Sequence, residues 1–210
     1  MGKGRSDGEI TRRMIIERAK ELFARKGYGA VSMNEICEAA GVSKGSLYHH
    51  FAGKKELFLT LVEENIEHWK NQWEEKRRNL TSATDQLYAL AEHYADEVQD
   101  PLSKALEEFV RSHGSDEATV ERLWQLAQSQ TQACREVLRE GTERGEFVHE
   151  NLEDAELIVS ALFEGLGKIF FDDSGRLVED TRAMKEEAVR VSRKAVRMLL
   201  HGIAAGRKGY

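Results

Sequence analysis

Proline is almost absent from the sequence, with one residue, Pro101, among 210. Because proline breaks helices, this scarcity and a charged fraction of 32% favour a helix-rich protein. Two cysteines, Cys37 and Cys134, lie far apart and suggest neither a disulfide framework nor a metal site. No apolar run approaches the length of a membrane span, and the first residues lack the apolar stretch of a signal peptide. We therefore expect a cytoplasmic protein with no membrane contact, no metal and no cofactor.

The net charge of −6 combines two unlike segments. Residues 1–60 hold eleven Lys or Arg against seven Asp or Glu, a net of +4. Residues 61–210 hold twenty against thirty, a net of −10. We call residues 1–60 the head and residues 61–210 the body. A basic head on an acidic body is expected when only the head contacts the phosphates of a nucleic acid. An architectural DNA protein would be basic throughout, so the acidic body argues against that role.

Apolar residues recur with helical spacing along the chain, and no segment alternates as a strand would. Helix ends are marked by Gly27, by Gly41, and by Ser32 with Glu35 three residues later, which is a capping-box pattern. The spacing predicts an all-α protein whose nine helices cover Thr11–Lys26, Met33–Ala40, Ser43–His50, five turns from Lys54, Asp85–Gln99, Leu102–Val110, Asp116–Arg144, Asn151–Phe171 and Thr181–Ile203.

The second and third predicted helices, with a tight glycine turn between them, form a helix-turn-helix. In the third helix Leu47 is buried, while most other side chains can donate hydrogen bonds to phosphates or bases. Lys44 can reach guanine, Ser46 can contact either base type, and Gly45 allows close approach to the groove floor. The N-termini of the second and fourth helices offer N–H groups to phosphates. The expected contacts with double-stranded DNA are Ser32, Met33, Lys44, Gly45, Ser46, Tyr48, His49, His50 and Lys54.

The run from Ile15 to Leu61 resembles the tetracycline-repressor (TetR) family of bacterial transcription regulators. The matching segments are I-x-x-x-A-x-x-L-F, K-G-Y, S-M-x-E-I, A-G-V-S-K-G-S-L-Y-H-H-F and K-x-E-L-F, over about 45 positions. The resemblance implies a nine-helix TetR-like fold. A three-helix DNA-binding domain (1–53, helix-turn-helix at 32–51) would precede a larger ligand-binding and dimerisation domain (54–210).

The same resemblance implies a role for each matching residue of the head. The family's equivalents of Lys44, Gly45 and Ser46 sit in the major groove. Its equivalents of four further residues bind phosphates: Ser32, Tyr48, His50 and Lys54. One departure is Gly53, where the family commonly has Ser, Asn or Asp as a helix cap; glycine is a tolerable cap there.

Enzyme chemistry finds no support in the sequence. Residues Gly41 to Gly45 match the nucleophile-elbow pattern G-x-S-x-G, but that chemistry needs a strand before the serine, and a helix is predicted there. The adjacent His49 and His50 point about 100° apart on a helix and do not share a metal ion. We therefore expect a protein that is not an enzyme.

Aromatic residues occur on most helices of the body. Each one alone fits an ordinary helical core, but together they outnumber what a small core needs, which favours an aromatic-lined ligand cavity. Residues 65–110 also resemble the multidrug-binding branch of the TetR family, whose members sense cationic aromatic compounds. That likeness implies drug contacts by Trp69 and Glu97, because ring faces and a carboxylate stabilise a buried cation. Asp100, Ala127 and Gln130 depart from the branch, which leaves a smaller or uncharged ligand open. The expected ligand-site residues are Trp69, Trp73, Tyr94, Glu97, Asp100, Phe109, Trp124 and Phe163.

The eighth predicted helix is apolar around most of its circumference, more than one internal face requires. With the ninth helix, two copies would form a twofold four-helix interface, as TetR-family dimers do. Its expected residues are Leu157, Ala161, Gly165, Ala195 and Met198. We expect a homodimeric repressor on a palindromic operator, released by a small-molecule inducer. A ligand-responsive activator, or a repressor that senses a fatty-acyl or other lipophilic metabolite, is the alternative.

Overall fold

The computed structural model describes residues 3–96, 102–114, 116–171 and 181–202. These residues form nine α-helices and no strand, so the predicted all-α, nine-helix fold is confirmed. Among the helices described, none is long and apolar enough to cross a membrane. The helices are α1 (Lys3–Ala30), α2 (Met33–Ala40), α3 (Lys44–His50), α4 (Lys54–Arg77), α5 (Ala83–Asp96), α6 (Ser103–His113), α7 (Glu117–Glu143), α8 (Leu152–Phe171) and α9 (Thr181–His201).

Helix boundaries agree with the sequence where a cap defines them and differ where polar residues extend a helix. The structure has α2 as predicted, because Ser32 and Glu35 form the capping box and Gly41 ends the helix at a φ of 64°. In contrast, α1 begins eight residues before the predicted Thr11. That extra segment is polar, so no apolar stripe marks it, yet the Thr11 hydroxyl donates to the Asp7 carbonyl as helical geometry allows.

The chain folds into two compact units, each built from two segments. The first contains residues 1–68 and 101–127, and the second contains 69–100 and 128–210. The predicted boundary after residue 53 separates a DNA-binding domain from a ligand-binding and dimerisation domain, and it stays a prediction. By packing, α6 and the start of α7 belong with the helix-turn-helix.

The core of the first unit is centred on aromatic rings from α1, α4 and α6. The Phe58 ring centroid lies 5.0 Å from that of Phe23 and 4.9 Å from those of Tyr28 and Phe109. All four residues are buried. Such edge-to-face and tilted pairs add to the free energy of apolar burial, so these rings fix α1 against α4 and α6.

The core of the second unit combines the end of α4 with α5, α7, α8 and α9. Its buried residues include Trp69, Trp73, Leu90, Cys134, Val137, Phe163 and Val196. Burial raises the pKa of the Cys134 thiol to about 12, so this cysteine behaves as a small apolar residue of the core.

Candidate DNA interface and ligand site

Helix α3 has an apolar side that anchors it and a polar side that faces solvent. The Ser43 hydroxyl caps the helix by accepting from the Ser46 N–H at 3.2 Å, and Leu47 and Phe51 are buried. Two predicted DNA contacts, Ser46 and His50, are half-buried. Four more are exposed, namely Lys44, Gly45, Tyr48 and His49. The exposed side presents donors to a negatively charged partner, as a recognition helix requires.

The start of α2 is fixed by a reciprocal pair of hydrogen bonds. The Glu35 N–H donates to the Ser32 hydroxyl at 3.3 Å, and the Ser32 N–H donates to the Glu35 carboxylate at 2.8 Å. The Lys26 ammonium lies 2.7 Å from Glu35; its hydrogen bond, with those from Ser32, lowers the pKa of Glu35 to about 2. Ser32 is exposed, whereas Met33 is half-buried and packs on the core. A phosphate contact at this N-terminus stays a prediction.

Lys54, for which the family resemblance implies a phosphate contact that stays a prediction, lies half-buried at the start of α4. Its ammonium donates to the Tyr28 carbonyl at 3.0 Å and to the Val31 carbonyl at 2.8 Å. Burial lowers the pKa of Lys54, while Glu108 and Glu35 act in the opposite direction. In the structure this ammonium is therefore a partner of the protein's own backbone.

Four of the predicted ligand-site residues meet in the second unit. The ring centroids of Trp69 and Tyr94 are 5.3 Å apart, and those of Tyr94 and Phe163 are 5.4 Å apart. Trp73 lies one turn after Trp69 on α4 and is also buried. The indole N–H groups of Trp69 and Trp73 are buried and have no hydrogen-bond partner among the described residues. The cluster is mainly apolar, and its two indole donors lack an acceptor within the described part of the chain.

The sequence reasoning did not predict His93, which joins this cluster. Its imidazole stacks on Trp69 at 4.6 Å and on Trp73 at 6.0 Å. Nδ1 lies 3.1 Å from the Lys76 ammonium, which can only donate, so Nδ1 accepts and the proton is on Nε2, which donates to the Trp69 carbonyl at 2.9 Å. Burial lowers the pKa of His93, which favours the neutral ring, although the hydrogen bond to the Trp69 carbonyl acts in the opposite direction. A histidine three residues after Leu90 on the apolar stripe of α5 was the signal that could have revealed it.

Two further predicted ligand-site residues, Phe109 and Trp124, are not in the Trp69 cluster. Phe109 belongs to the core of the first unit, where its ring packs against Tyr28 at 4.9 Å. Trp124 is 60% exposed. Helical spacing showed that both were on helices, but it did not show which core each helix face meets. Glu97 and Asp100 lie outside the described residues.

Helices α8 and α9 carry apolar side chains that no described residue of the chain covers. Leu157 is 69% exposed and Met198 is 53% exposed. A Cβ added at Gly165 would meet no described atom within 4 Å, so contacts among the described residues do not require the glycine. Other exposed residues of the two helices are Ile158, Ala161, Ile169 and Leu199. An exposed apolar surface of this kind indicates an interaction site.

Comparison with known proteins decides the family. Residues 15–61 match the model for bacterial regulatory proteins of the tetR family, and residues 65–205 match the model for the C-terminal region of QacR-like proteins. The chain belongs to the TetR family. The predicted resemblance to the TetR family and its multidrug-binding branch is thereby confirmed. TetR-family proteins are DNA-binding, ligand-responsive transcriptional regulators and not enzymes.

Among similar TetR-family proteins is the regulator QacR of Staphylococcus aureus, 30% identical over 134 residues, which are 63% of this chain and 71% of that protein. The transcriptional activator FasR of Mycolicibacterium smegmatis is 33% identical over 88 residues, 42% of this chain and 40% of FasR. A solved structure of FadR from Bacillus subtilis, in complex with stearoyl-CoA, has a TM-score of 0.75 at 19% identity, covering 91% of this chain and 99% of FadR. A regulator from Saccharomonospora viridis, in complex with choline, has a TM-score of 0.73 at 20% identity, covering 94% of this chain and 100% of that one. At these identities the two structures support the fold alone.

Proposed function

We propose that this TetR-family regulator is a homodimeric repressor that binds a palindromic operator and leaves it when an inducer occupies the second unit. The observation that carries the proposal is the polar side of α3. Lys44, Gly45 and Tyr48 face solvent there, while Leu47 on the other side is buried. A short helix fixed by one apolar side can enter the major groove with its other side.

The apolar surface of α8 and α9 supports the dimer. A twofold interface requires the same surface on both subunits, and antiparallel packing of two helix pairs provides it. The expected contacts are those predicted from the sequence, and Leu157 and Met198 are the large apolar side chains among them that are exposed. Two heads would then be held about 34–36 Å apart, as successive turns of the major groove require.

The aromatic cluster of Trp69, Trp73, Tyr94 and Phe163 supports an inducer site in the second unit. The QacR-like C-terminal region, together with the ring faces, favours a cationic aromatic compound as inducer. A second candidate is a lipophilic ligand with acceptor atoms, such as an acyl thioester. The two indole N–H groups have no acceptor among the residues that the structure describes, and this favours such a ligand, because an acceptor would offset the cost of leaving them buried and unbonded.

Helix α4 supports a route for the signal within one element. It runs without interruption from Lys54 to Arg77 and carries Trp69 and Trp73, the two tryptophans of the cluster. An inducer that reorients α4 at Trp69 would also reorient its first turn. The inducer can shift the equilibrium only by its preference for the released state over the operator-bound state.

The operator proposal is tested by Lys44→Ala. On a duplex selected in vitro with the wild type, the variant should lose about 1–3 kcal/mol of binding free energy and part of its preference over random duplex. The reason is the lost contact with a base edge. Fluorescence anisotropy on both duplexes measures it. Lys70→Ala, at an exposed position of α4 outside the first unit, is the matched control and should change neither. If Lys44→Ala left both the affinity and the sequence preference unchanged, α3 would not be the helix that enters the major groove.

The inducer proposal is tested by thermal unfolding with tetraphenylphosphonium, choline and stearoyl-CoA. A ligand that prefers the folded protein raises its melting temperature, with about 2.7 kcal/mol gained at a hundredfold excess over Kd. Trp69→Phe should reduce the shift caused by tetraphenylphosphonium and keep operator affinity. An undiminished shift in Trp69→Phe would place the ligand elsewhere, and a shift with stearoyl-CoA alone would favour the second candidate.

A further inference from the structure

His93 is a buried polar residue beside the two tryptophans of the second unit, with 2% of its surface exposed. Within the part of the chain that the structure describes, no Lys, Arg, Asp or Glu is buried, and His93 is the only buried histidine. Burying an imidazole costs free energy unless its nitrogens have hydrogen-bond partners. The contacts of these two nitrogens therefore decide what His93 contributes to the cluster.

Both ring nitrogens of His93 are bonded to α4. Nε2 donates to the Trp69 carbonyl at 2.9 Å, and Nδ1 accepts from the Lys76 ammonium at 3.1 Å. Trp69 and Lys76 are about two helical turns apart, so they lie on the same face of α4 and tie the ring to that face at two points. In this tautomer neither nitrogen is left to bond a ligand.

The same ring packs on both indoles. Its plane is tilted by 24° from each indole plane, at centroid distances of 4.6 Å for Trp69 and 6.0 Å for Trp73. The hydrogen bond restrains the backbone of Trp69, and the stacking restrains its side chain. His93 therefore limits the rotation of the Trp69 indole about its side-chain bonds.

Lys76, which fixes the tautomer of His93, is itself held by a carboxylate. Its ammonium lies 2.9 Å from the Asp96 carboxylate, which also lies 2.8 Å from the Lys185 ammonium of α9. Burial acts to raise the pKa of Asp96, but the hydrogen bonds from Lys185 and Lys76 outweigh it and leave the pKa below its usual value. The charged carboxylate keeps the Lys76 ammonium beside Nδ1, so the proton of the ring stays on Nε2.

We propose that His93 is a positioning residue of the inducer site, which holds the Trp69 ring in the orientation that binds the inducer. The inference rests on the proposed inducer site in the second unit. A ring that is already fixed loses little conformational entropy when a ligand packs on it, so His93 contributes to inducer affinity without a hydrogen bond to the inducer. Operator affinity in the absence of inducer should not depend on His93.

Leucine and glutamine at position 93 separate the hydrogen bonds from the volume of the side chain, because the two residues are similar in size. His93→Leu makes neither bond and should bind tetraphenylphosphonium, or stearoyl-CoA if that ligand alone binds, about tenfold more weakly, the effect of ordering one side chain. His93→Gln can accept from Lys76 and donate to the Trp69 carbonyl, and it should recover most of the affinity. Because burial favours the neutral ring, neither substitution changes the charge.

Isothermal titration calorimetry measures inducer affinity, and fluorescence anisotropy measures operator affinity in the same proteins. Both position 93 variants should bind operator as the wild type does. His201→Leu, which removes an exposed histidine of α9, is the matched control and should change neither affinity. A His93→Leu protein with wild-type inducer affinity would overturn the proposal. Equal losses of inducer and operator affinity in both position 93 variants would also overturn it, because they would show a general structural role.

Two measurements without inducer keep the proposal testable. Heteronuclear NMR of the wild type should find the His93 proton on Nε2 at neutral pH, and a proton on Nδ1 would overturn the proposal. In a Trp124→Phe background, the near-ultraviolet circular dichroism reports Trp69 and Trp73 alone, since the chain has three tryptophans. There His93→Leu should weaken the tryptophan bands and His93→Gln should restore them. If the wild type binds none of the tested ligands, the proposed inducer site fails, while these bands still decide whether His93 holds Trp69.

Discussion

Leu157→Glu is expected to convert the proposed dimer into monomers. Leu157 is 69% exposed on α8 at a predicted interface position, and a twofold axis places two copies of any new charge in the same interface. Like charges facing each other across an interface cost several kcal/mol, which corresponds to a rise of a hundredfold or more in the dimer Kd, on the order of 2.7 kcal/mol. Sedimentation equilibrium measures the change directly.

Operator binding should be lost when the dimer dissociates, because a monomer has one DNA-binding head and can contact only one half-site. Val148→Glu is the matched control, since Val148 is 97% exposed and precedes α8. That variant should stay dimeric and bind operator as the wild type does. A Leu157→Glu protein that remains dimeric at micromolar concentration would show that the α8 and α9 surface is not the interface.

Phe109→Ala is expected to lose about 3–5 kcal/mol of the free energy of unfolding, the range for truncation of a fully buried phenylalanine. Phe109 is a core residue, in contact with Tyr28 and Phe58 of the first unit. Chemical denaturation of the two proteins measures the difference. Inducer response at a temperature where the variant is still folded should be retained.

Trp124→Ala is the matched control for Phe109→Ala, because both residues were predicted as ligand contacts and only one is buried. At 60% exposure Trp124 should contribute within about 0.5 kcal/mol to stability. A Phe109→Ala protein as stable as the wild type, with loss of the inducer response, would restore Phe109 to the ligand site.

The sequence predicts the elements of the head well because their signals are local. Ser32 and Glu35 are three residues apart, and Ser43 caps α3 within three residues, so each feature is contained in one short segment. The part of α1 that precedes Thr11 could not be predicted from periodicity, since it carries no apolar stripe.

The contacts that position the head could not be predicted in the same way. The Lys54 ammonium bonds carbonyls 23 to 26 residues earlier, and Glu108 bonds an N–H 79 residues away. These pairs depend on how α1, α4 and α6 pack, and no spacing encodes that. The aromatic residues show the same limit. Trp69 and Phe109 each lie on an apolar stripe with helical spacing, yet they belong to the cores of different units.

The central claim is that two α3 helices, held at a fixed separation, bind the two halves of one operator. It is tested by the affinity of the wild type for its selected duplex before and after insertion of about five base pairs, half a helical turn, between the half-sites. Binding should fall to the level of random duplex, because the second half-site is rotated to the opposite face of the DNA. Equal affinity for both duplexes would contradict the claim.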